Sequence, residues 1–109
     1  MKESFFTNQE EFRELDPFPG IHIRACSGER MTVSILTFDA GSSIPAHAHP
    51  HEQMGMVLAG SFVLSVEGRE RELREGDVYV VPPGATHSAR AAAKAKVIDI
   101  FSPRRKEYA

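Results

Sequence analysis

The sequence predicts an all-β domain, an antiparallel sandwich or barrel, on three observations. Short apolar–polar alternations recur from Ile21 onward, and turn residues punctuate them every ten residues or so. Nothing after Ile21 sustains a 3.6-residue amphipathic period. At 109 residues the chain is one domain, and its 41 % hydrophobic and 26 % charged residues are the balance of a folded protein.

The stretch 1–20 reads as an N-terminal arm ahead of a barrel domain at 21–109. Thr7-Asn8-Gln9-Glu10 has capping-box spacing, with Phe12 and Leu15 three apart behind it. That pattern predicts a helical turn or two, stopped by Asp16-Pro17 and Pro19-Gly20. Ile21-His22-Ile23-Arg24 alternates as a strand, and Ser27-Gly28-Glu29-Arg30 turns the chain. Met31, Val33 and Ile35 then alternate with Thr32 and Ser34, and Phe38 precedes a turn at Asp39-Ala40-Gly41-Ser42. Further strands are expected at 53–58, 61–66, 69–73, 77–81, 86–90 and 96–101, about eight in all. Their separators are Ala59-Gly60, Glu67-Gly68, Glu75-Gly76-Asp77 and Pro82-Pro83-Gly84. The run 91–96 has helix-forming composition but only six residues, and reads as a loop. Arg69-Glu70-Arg71-Glu72 reads as a solvated edge strand that resists aggregation. Phe38, Met54, Met56, Val57, Leu58, Phe62, Leu64, Val66, Val78, Val80 and Ile98 are expected in the core or a dimer interface.

Composition excludes several classes of function. Thirteen Lys and Arg against 15 Asp and Glu leave a net charge of −2 with no basic stripe, so no nucleic-acid partner is expected. No apolar run is long enough to span a membrane, and MKESFFTNQEEF lacks the core of a secretory signal. The lone Cys26 cannot form an internal disulfide, which suits a cytoplasmic location. A 12.1 kDa domain has a limited core, so a homodimer is expected. Phe5, Phe6 and Phe12 either pack across its two-fold axis or cap their own barrel's open end.

Four of the five histidines fall in two places, His47, His49 and His51 together and His87 forty residues on. On a strand, residues i and i+2 share a face, so His47 and His49 present two imidazoles side by side. His87, brought in from a distant strand, completes a set of three. Such a set suits Zn, Fe, Ni, Cu or Mn.

Two stretches match a known family. Gly41, five residues, His47-Ala48-His49, three residues, Gln53, six residues and Gly60 resemble the first cupin motif. Gly76, five residues, Pro82-Pro83-Gly84, two residues and His87 resemble the second. The resemblance implies a jelly-roll barrel holding a divalent transition metal (Ni, Zn, Mn or Fe) on His47, His49, Gln53 and His87. Gln53 stands where the family usually carries a glutamate, and Ala91 where the second motif closes on Asn. An amide oxygen ligates without charge, so the site is more Lewis-acidic and more receptive to anions. Glu52 is the alternative fourth ligand, though alternation sets it on the opposite face. His51 is a candidate for the pocket mouth.

His49-Pro50-His51-Glu52-Gln53-Met54-Gly55 and Ile98-Asp99-Ile100-Phe101-Ser102-Pro103-Arg104-Arg105 are similar to the pectin-degradation cupins of the KdgF type. That resemblance implies pocket residues Asp99, Phe101 and Arg105, and a small anionic sugar acid or other carboxylate as ligand. The implied reaction is ring opening and ketonisation of 4,5-unsaturated uronates. Arg105 would hold the carboxylate, Phe101 would wall the sugar ring, and Asp99 would move the proton or form a salt bridge with Arg105. The alternatives are another metal-dependent enzyme, such as a small dioxygenase, and a non-catalytic sugar- or metabolite-binding cupin.

Overall fold

The computed structural model describes residues 5–109, and the first four residues of the expected arm lie outside the described residues. A single 3-10 turn, Gln9–Glu11, comes first. Asn8, not Thr7, caps it, with Oδ1 accepting the Glu10 N–H at 2.9 Å. The helical turns expected as far as Asp16 do not form, because Arg13–Phe18 is strand β1. A helix that short lacks the bonds to offset its nucleation, whereas pairing with the next strand satisfies the backbone at once. Pro17 is tolerated because β1 lies at a sheet edge.

The remaining strands are β2 (Ile21–Ser27), β3 (Thr32–Phe38), β4 (Ser42–His47), β5 (Glu52–Ala59) and β6 (Ser61–Val66), then β7 (Arg69–Arg74), β8 (Val78–Val81), β9 (His87–Ala91) and β10 (Ala95–Ser102). All expected strands form, and β1 and β4 are additional. β4 is silent in sequence because Ser42-Ser43-Ile44-Pro45-Ala46 carries no apolar alternation. The strands make an antiparallel jelly roll: a six-stranded sheet in the order β1-β2-β3-β10-β5-β8 and a four-stranded sheet in the order β4-β9-β6-β7. The charged β7 is an edge, as its sequence predicts. Among the described residues no helix is long and apolar enough to cross a membrane.

Inward-facing side chains fill the space between the sheets. At one end Phe38 of β3 stacks on Phe62 of β6 at 5.2 Å, and Phe62 meets Tyr79 edge-on at 5.7 Å. Each such ring contributes roughly 1.5–3 kcal/mol by leaving water. Toward the other end the interior turns polar in two cross-strand rows. Thr32, Phe101, Gln53 and Val81 form the outer row, and Ser34, Asp99, Gly55 and Tyr79 the one beneath.

The expected core divides by strand parity. Phe38, Val57, Phe62 and Leu64 are buried, while Val66 and Ile98 are half-buried. Met54, Met56, Val78, Val80 and Leu58 are instead exposed on the outer face. Since Gln53 points inward, Met54 and Met56 must point out. In register, Val33, Ile100, Met54 and Val80 form one outer row, and Ile35, Ile98, Met56 and Val78 the next.

His22 ties β1 to the rest of the sheet. Its Nδ1 lies 2.8 Å from Asp16 Oδ1 on β1, and its Nε2 lies 3.0 Å from Asp39 Oδ2 in the turn after β3. The Asp39 and Asp16 carboxylates raise its pKa above the ordinary 6.5. The folded protein therefore holds the proton more tightly than the unfolded chain. This tether contributes fully below pH 6.5 and fades as pH rises through the raised pKa. Corrected for intrinsic rate, β1 amides should exchange faster at pH 8 than at pH 6, and His22→Gln should abolish the difference. Equal pH dependence in both proteins would exclude the tether.

Candidate metal centre

Three imidazoles converge at the polar end of the jelly roll. His47 ends β4, His87 begins β9, and these two residues are paired in register. His49 lies beyond the end of β4, in the loop before β5. The expectation of two histidines on one strand is thus corrected: the loop, not strand alternation, brings His49 to the set. Its position is fixed from the second motif, where the Gly84 N–H donates to the His49 carbonyl at 2.9 Å. The His47 and His87 rings are 4.2 Å apart, and His49 and His87 4.8 Å. One nitrogen from each of the three lies within 4.8 Å of the others.

The ring orientations are set by backbone carbonyls. Nδ1 of His47 lies 2.9 Å from the Pro45 oxygen, Nδ1 of His49 3.1 Å from that of His51, and Nδ1 of His87 2.9 Å from that of Ala85. Each Nδ1–H donated to such a carbonyl leaves the Nε2 lone pair free, the arrangement common around protein-bound metals. Burial, reinforced by the Arg105 charge, lowers the pKa of His49. Burial likewise brings His87 down to about 4. Neutral imidazoles, able to ligate, are therefore the resting state of His49 and His87 near pH 7.

Gln53 supplies a fourth donor. Its Oε1 sits 3.1 Å from His49 Nε2, and its Nε2 donates to Asp99 Oδ1 at 3.1 Å. A neutral His49 has one N–H, and His51 accepts it. Two acceptors, His49 Nε2 and Gln53 Oε1, would then face each other. A cation resolves that conflict, and 3.1 Å matches two neighbouring ligands about 2.1 Å from one ion. The residues present thus fit a divalent metal. Glu52, the alternative ligand, is exposed on the opposite face.

The remaining expected residues gather around the same space. His47, Gln53, Tyr79, His87, Asp99 and Arg105 line a cavity of about 280 Å³. Asp99 is buried, and Tyr79 Oη donates to its Oδ1 at 2.6 Å. Burial pushes the carboxyl up to about 6, against the opposing pull of Tyr79, Gln53 and Arg105. No Asp99–Arg105 salt bridge forms: the Arg105 Nε pairs with Glu107 at 3.2 Å. The Arg105 guanidinium lies 4.9 Å from the Phe101 ring centre and 4.1 Å from that of Tyr108. Its backbone N–H donates to Thr32 Oγ1 at 2.9 Å. His51 is buried beside Phe101, at 6.4 Å between ring centres, with its Nδ1 unpartnered. Tyr79 and Tyr108 escape sequence reasoning. With Val78 and Val80 expected in the core, alternation places Tyr79 on the other face, and only the register, which pairs it with Gly55 beside Asp99, brings it to the site.

A jelly roll with three histidines and an amide oxygen converging at one end is the architecture of a metal-site cupin. The chain belongs to the cupin domain family, which it matches over residues 34–101. It is 31 % identical to the pectin degradation protein KdgF of Dickeya dadantii over 99 % of both chains. Among solved structures, KdgF from Halomonas sp. is 36 % identical and superposes with a TM-score of 0.84 over 97 % of this chain and 98 % of that one. An RmlC-like cupin from Shewanella frigidimarina is 29 % identical, with a TM-score of 0.89 over 98 % and 97 %.

Elemental analysis should find one divalent ion per chain, and a His47→Ala/His87→Ala double variant should lose it. Wild-type metal content in that variant would refute the site. Gln53→Glu should keep the metal but bind galacturonate, a simple carboxylate probe, more weakly in calorimetry, since it cancels one positive charge.

Proposed function

We propose that this protein is a metal-dependent isomerase that opens and ketonises 4,5-unsaturated uronate monosaccharides, acting in the cytoplasm. One observation carries the reading: Arg105 and Asp99, whose Oδ2 accepts no hydrogen bond among the described residues, line the same cavity as His47 and His87 of the histidine set. Likeness to two KdgF proteins, one described as a pectin degradation protein, supports the substrate class.

The anion receptor is Arg105. Its side chain is 12 % exposed, lies over the rings of both Phe101 and Tyr108, and is tied to Glu107 only through Nε. Among the described residues its terminal nitrogens have no protein acceptor, so the planar fork is available to a substrate carboxylate. Phe101 is buried against His49 at 5.7 Å and gives the ring a rigid wall.

The reaction is a rearrangement that needs no oxidant. The bond between C1 and the ring oxygen breaks, the C1 hydroxyl proton leaves, and C1 becomes an aldehyde. The C5 oxygen keeps the electron pair of the broken bond as an enolate, which takes up one proton at C4 and becomes a ketone, so that the proton lost from the C1 hydroxyl is balanced. A divalent ion held by His47, His49, Gln53 and His87 would supply Lewis-acid stabilisation of the developing enolate. Asp99 handles the proton. Both of its hydrogen bonds fall on Oδ1, which leaves Oδ2 for the substrate. A carboxyl held near 6 both gives and takes a proton close to neutral pH.

Purified protein should accelerate loss of the ultraviolet absorbance of the C4–C5 double bond in pectin- or alginate-derived unsaturated uronates. Asp99→Asn should lower turnover by about 10²–10⁴-fold while keeping its metal, because the amide oxygen still accepts from Tyr79 and Gln53. Arg105→Ala should chiefly raise KM, having removed a contact shared by ground and transition states. Wild-type turnover in Asp99→Asn would remove Asp99 from the mechanism. Inert wild type on both uronate sources would leave a different substrate, or a binding role.

We also propose that the protein is a homodimer. Two observations support it. The two outer apolar rows carry Met54, Met56, Val78, Val80 and Ile100 at 41–54 % exposure, a surface more typical of interfaces than of monomers. In addition, the arm carries Phe5 and Phe6, apolar side chains that are 89 % and 85 % exposed. Sedimentation should give a dimer for the full chain. Met54→Glu/Val80→Glu should yield monomers, and removal of residues 1–16 tests whether the arm contributes. A full-length monomer would overturn the proposal.

A further inference from the structure

Gln53 can serve a metal only with its oxygen, not its nitrogen, turned toward the histidines. An amide does not enforce that choice alone, since its two ends are nearly the same size. Here the choice is made by Asp99 Oδ1, which accepts the Gln53 N–H at 3.1 Å. Asp99 itself is fixed from one side. Its cross-strand neighbour Ser34 is buried, yet the Ser34 Oγ makes no hydrogen bond. The other holder is Tyr79, whose hydroxyl donates to the same Oδ1 at 2.6 Å.

Tyr79 reaches Asp99 across an intervening strand. In register, Asp99 of β10 is opposite Gly55 of β5, and Gly55 is opposite Tyr79 of β8. The ring crosses the gap that Gly55 leaves. A Cβ at Gly55 would collide with Tyr79 Cζ and Oη and with Asp99 Oδ1. On the far side Tyr79 is braced edge-on against Phe62 at 5.7 Å. A chain of contacts thus runs from the apolar core to the metal centre: Phe62, Tyr79, Asp99, Gln53, His49.

We propose that Tyr79 is a positioning residue for the metal centre: its hydroxyl fixes Asp99, and Asp99 fixes the Gln53 amide with its oxygen toward the histidines. The proposal rests on the metal site but not on the uronate substrate. The Tyr79 hydroxyl bonds Asp99 and none of the proposed metal ligands. Its effect on metal binding therefore passes through Gln53 and should vanish when Gln53 is absent.

The test is zinc affinity, read by competition with a chromophoric chelator. The proteins compared are wild type, Tyr79→Phe, Ser34→Ala, Gln53→Ala and Gln53→Ala/Tyr79→Phe, each checked for folding by circular dichroism. Loss of an outer hydrogen-bond partner commonly weakens metal binding about 10–100-fold. Tyr79→Phe should fall at about tenfold, near the low end of that range, and Ser34→Ala should match wild type. In the Gln53→Ala background, Tyr79→Phe should cause no further loss. An unchanged affinity in Tyr79→Phe overturns the proposal. So does a loss that persists without Gln53, or an equal loss in Ser34→Ala, either of which marks general damage to the interior row. Wild type without zinc affinity overturns the metal site itself, a result distinct from the others.

Discussion

The interior carboxylate of Asp99 is the constraint around which this end of the barrel is organised. A buried ionisable group without partners is expensive, and it is retained only where donors surround it. Asp99 has two donors on a single oxygen, Tyr79 Oη and Gln53 Nε2, with the Arg105 charge nearby. Each donor imposes a further requirement. Tyr79 needs the space left by Gly55, and Gln53 has its carbonyl committed to the histidines. Tyr79, Asp99 and Gln53 are therefore one unit: changing any of the three alters what the other two can satisfy.

The electrostatics of the site follow from the same enclosure. Burial favours neutral His49 and His87 and holds the Asp99 proton more firmly than water would. Arg105 lines this space, and its guanidinium lies over the faces of Phe101 and Tyr108. Its one ion pair, to Glu107, engages Nε and leaves the fork open. Metal and guanidinium together would make the mouth attractive to anions while the deeper walls remain apolar.

Much of this was legible in the sequence, and the gaps have physical causes. Alternation marked nearly every strand from Ile21 on, and the resemblance of two stretches to the cupin motifs implied that His47, His49 and His87 meet, with Gln53 beside them. Strand β4 was invisible because its backbone pairing owes nothing to apolar side chains. β1 was misread because capping spacing describes a possible helix start, not a helix long enough to persist. The outer methionines carried a usable signal: with Gln53 inward, parity alone expels Met54 and Met56. Tyr79 carried none, for its role depends on strand order, which sequence alternation does not encode.

β5 has two tasks on opposite sides. Gln53, Gly55 and Val57 face the metal centre and core, while Met54 and Met56 build the outer apolar rows. Substituting one residue disturbs one face, but inserting or deleting one exchanges the two faces from that point onward. Length variation is therefore ruled out within β5 and must be accommodated in the hairpins. At Gly68, in the turn between β6 and β7, an added Cβ would meet nothing within 4 Å. Drift among descendants of this chain should lengthen that tip, already a two-residue turn at its shortest, while leaving the residue count from His49 to Val57 unaltered.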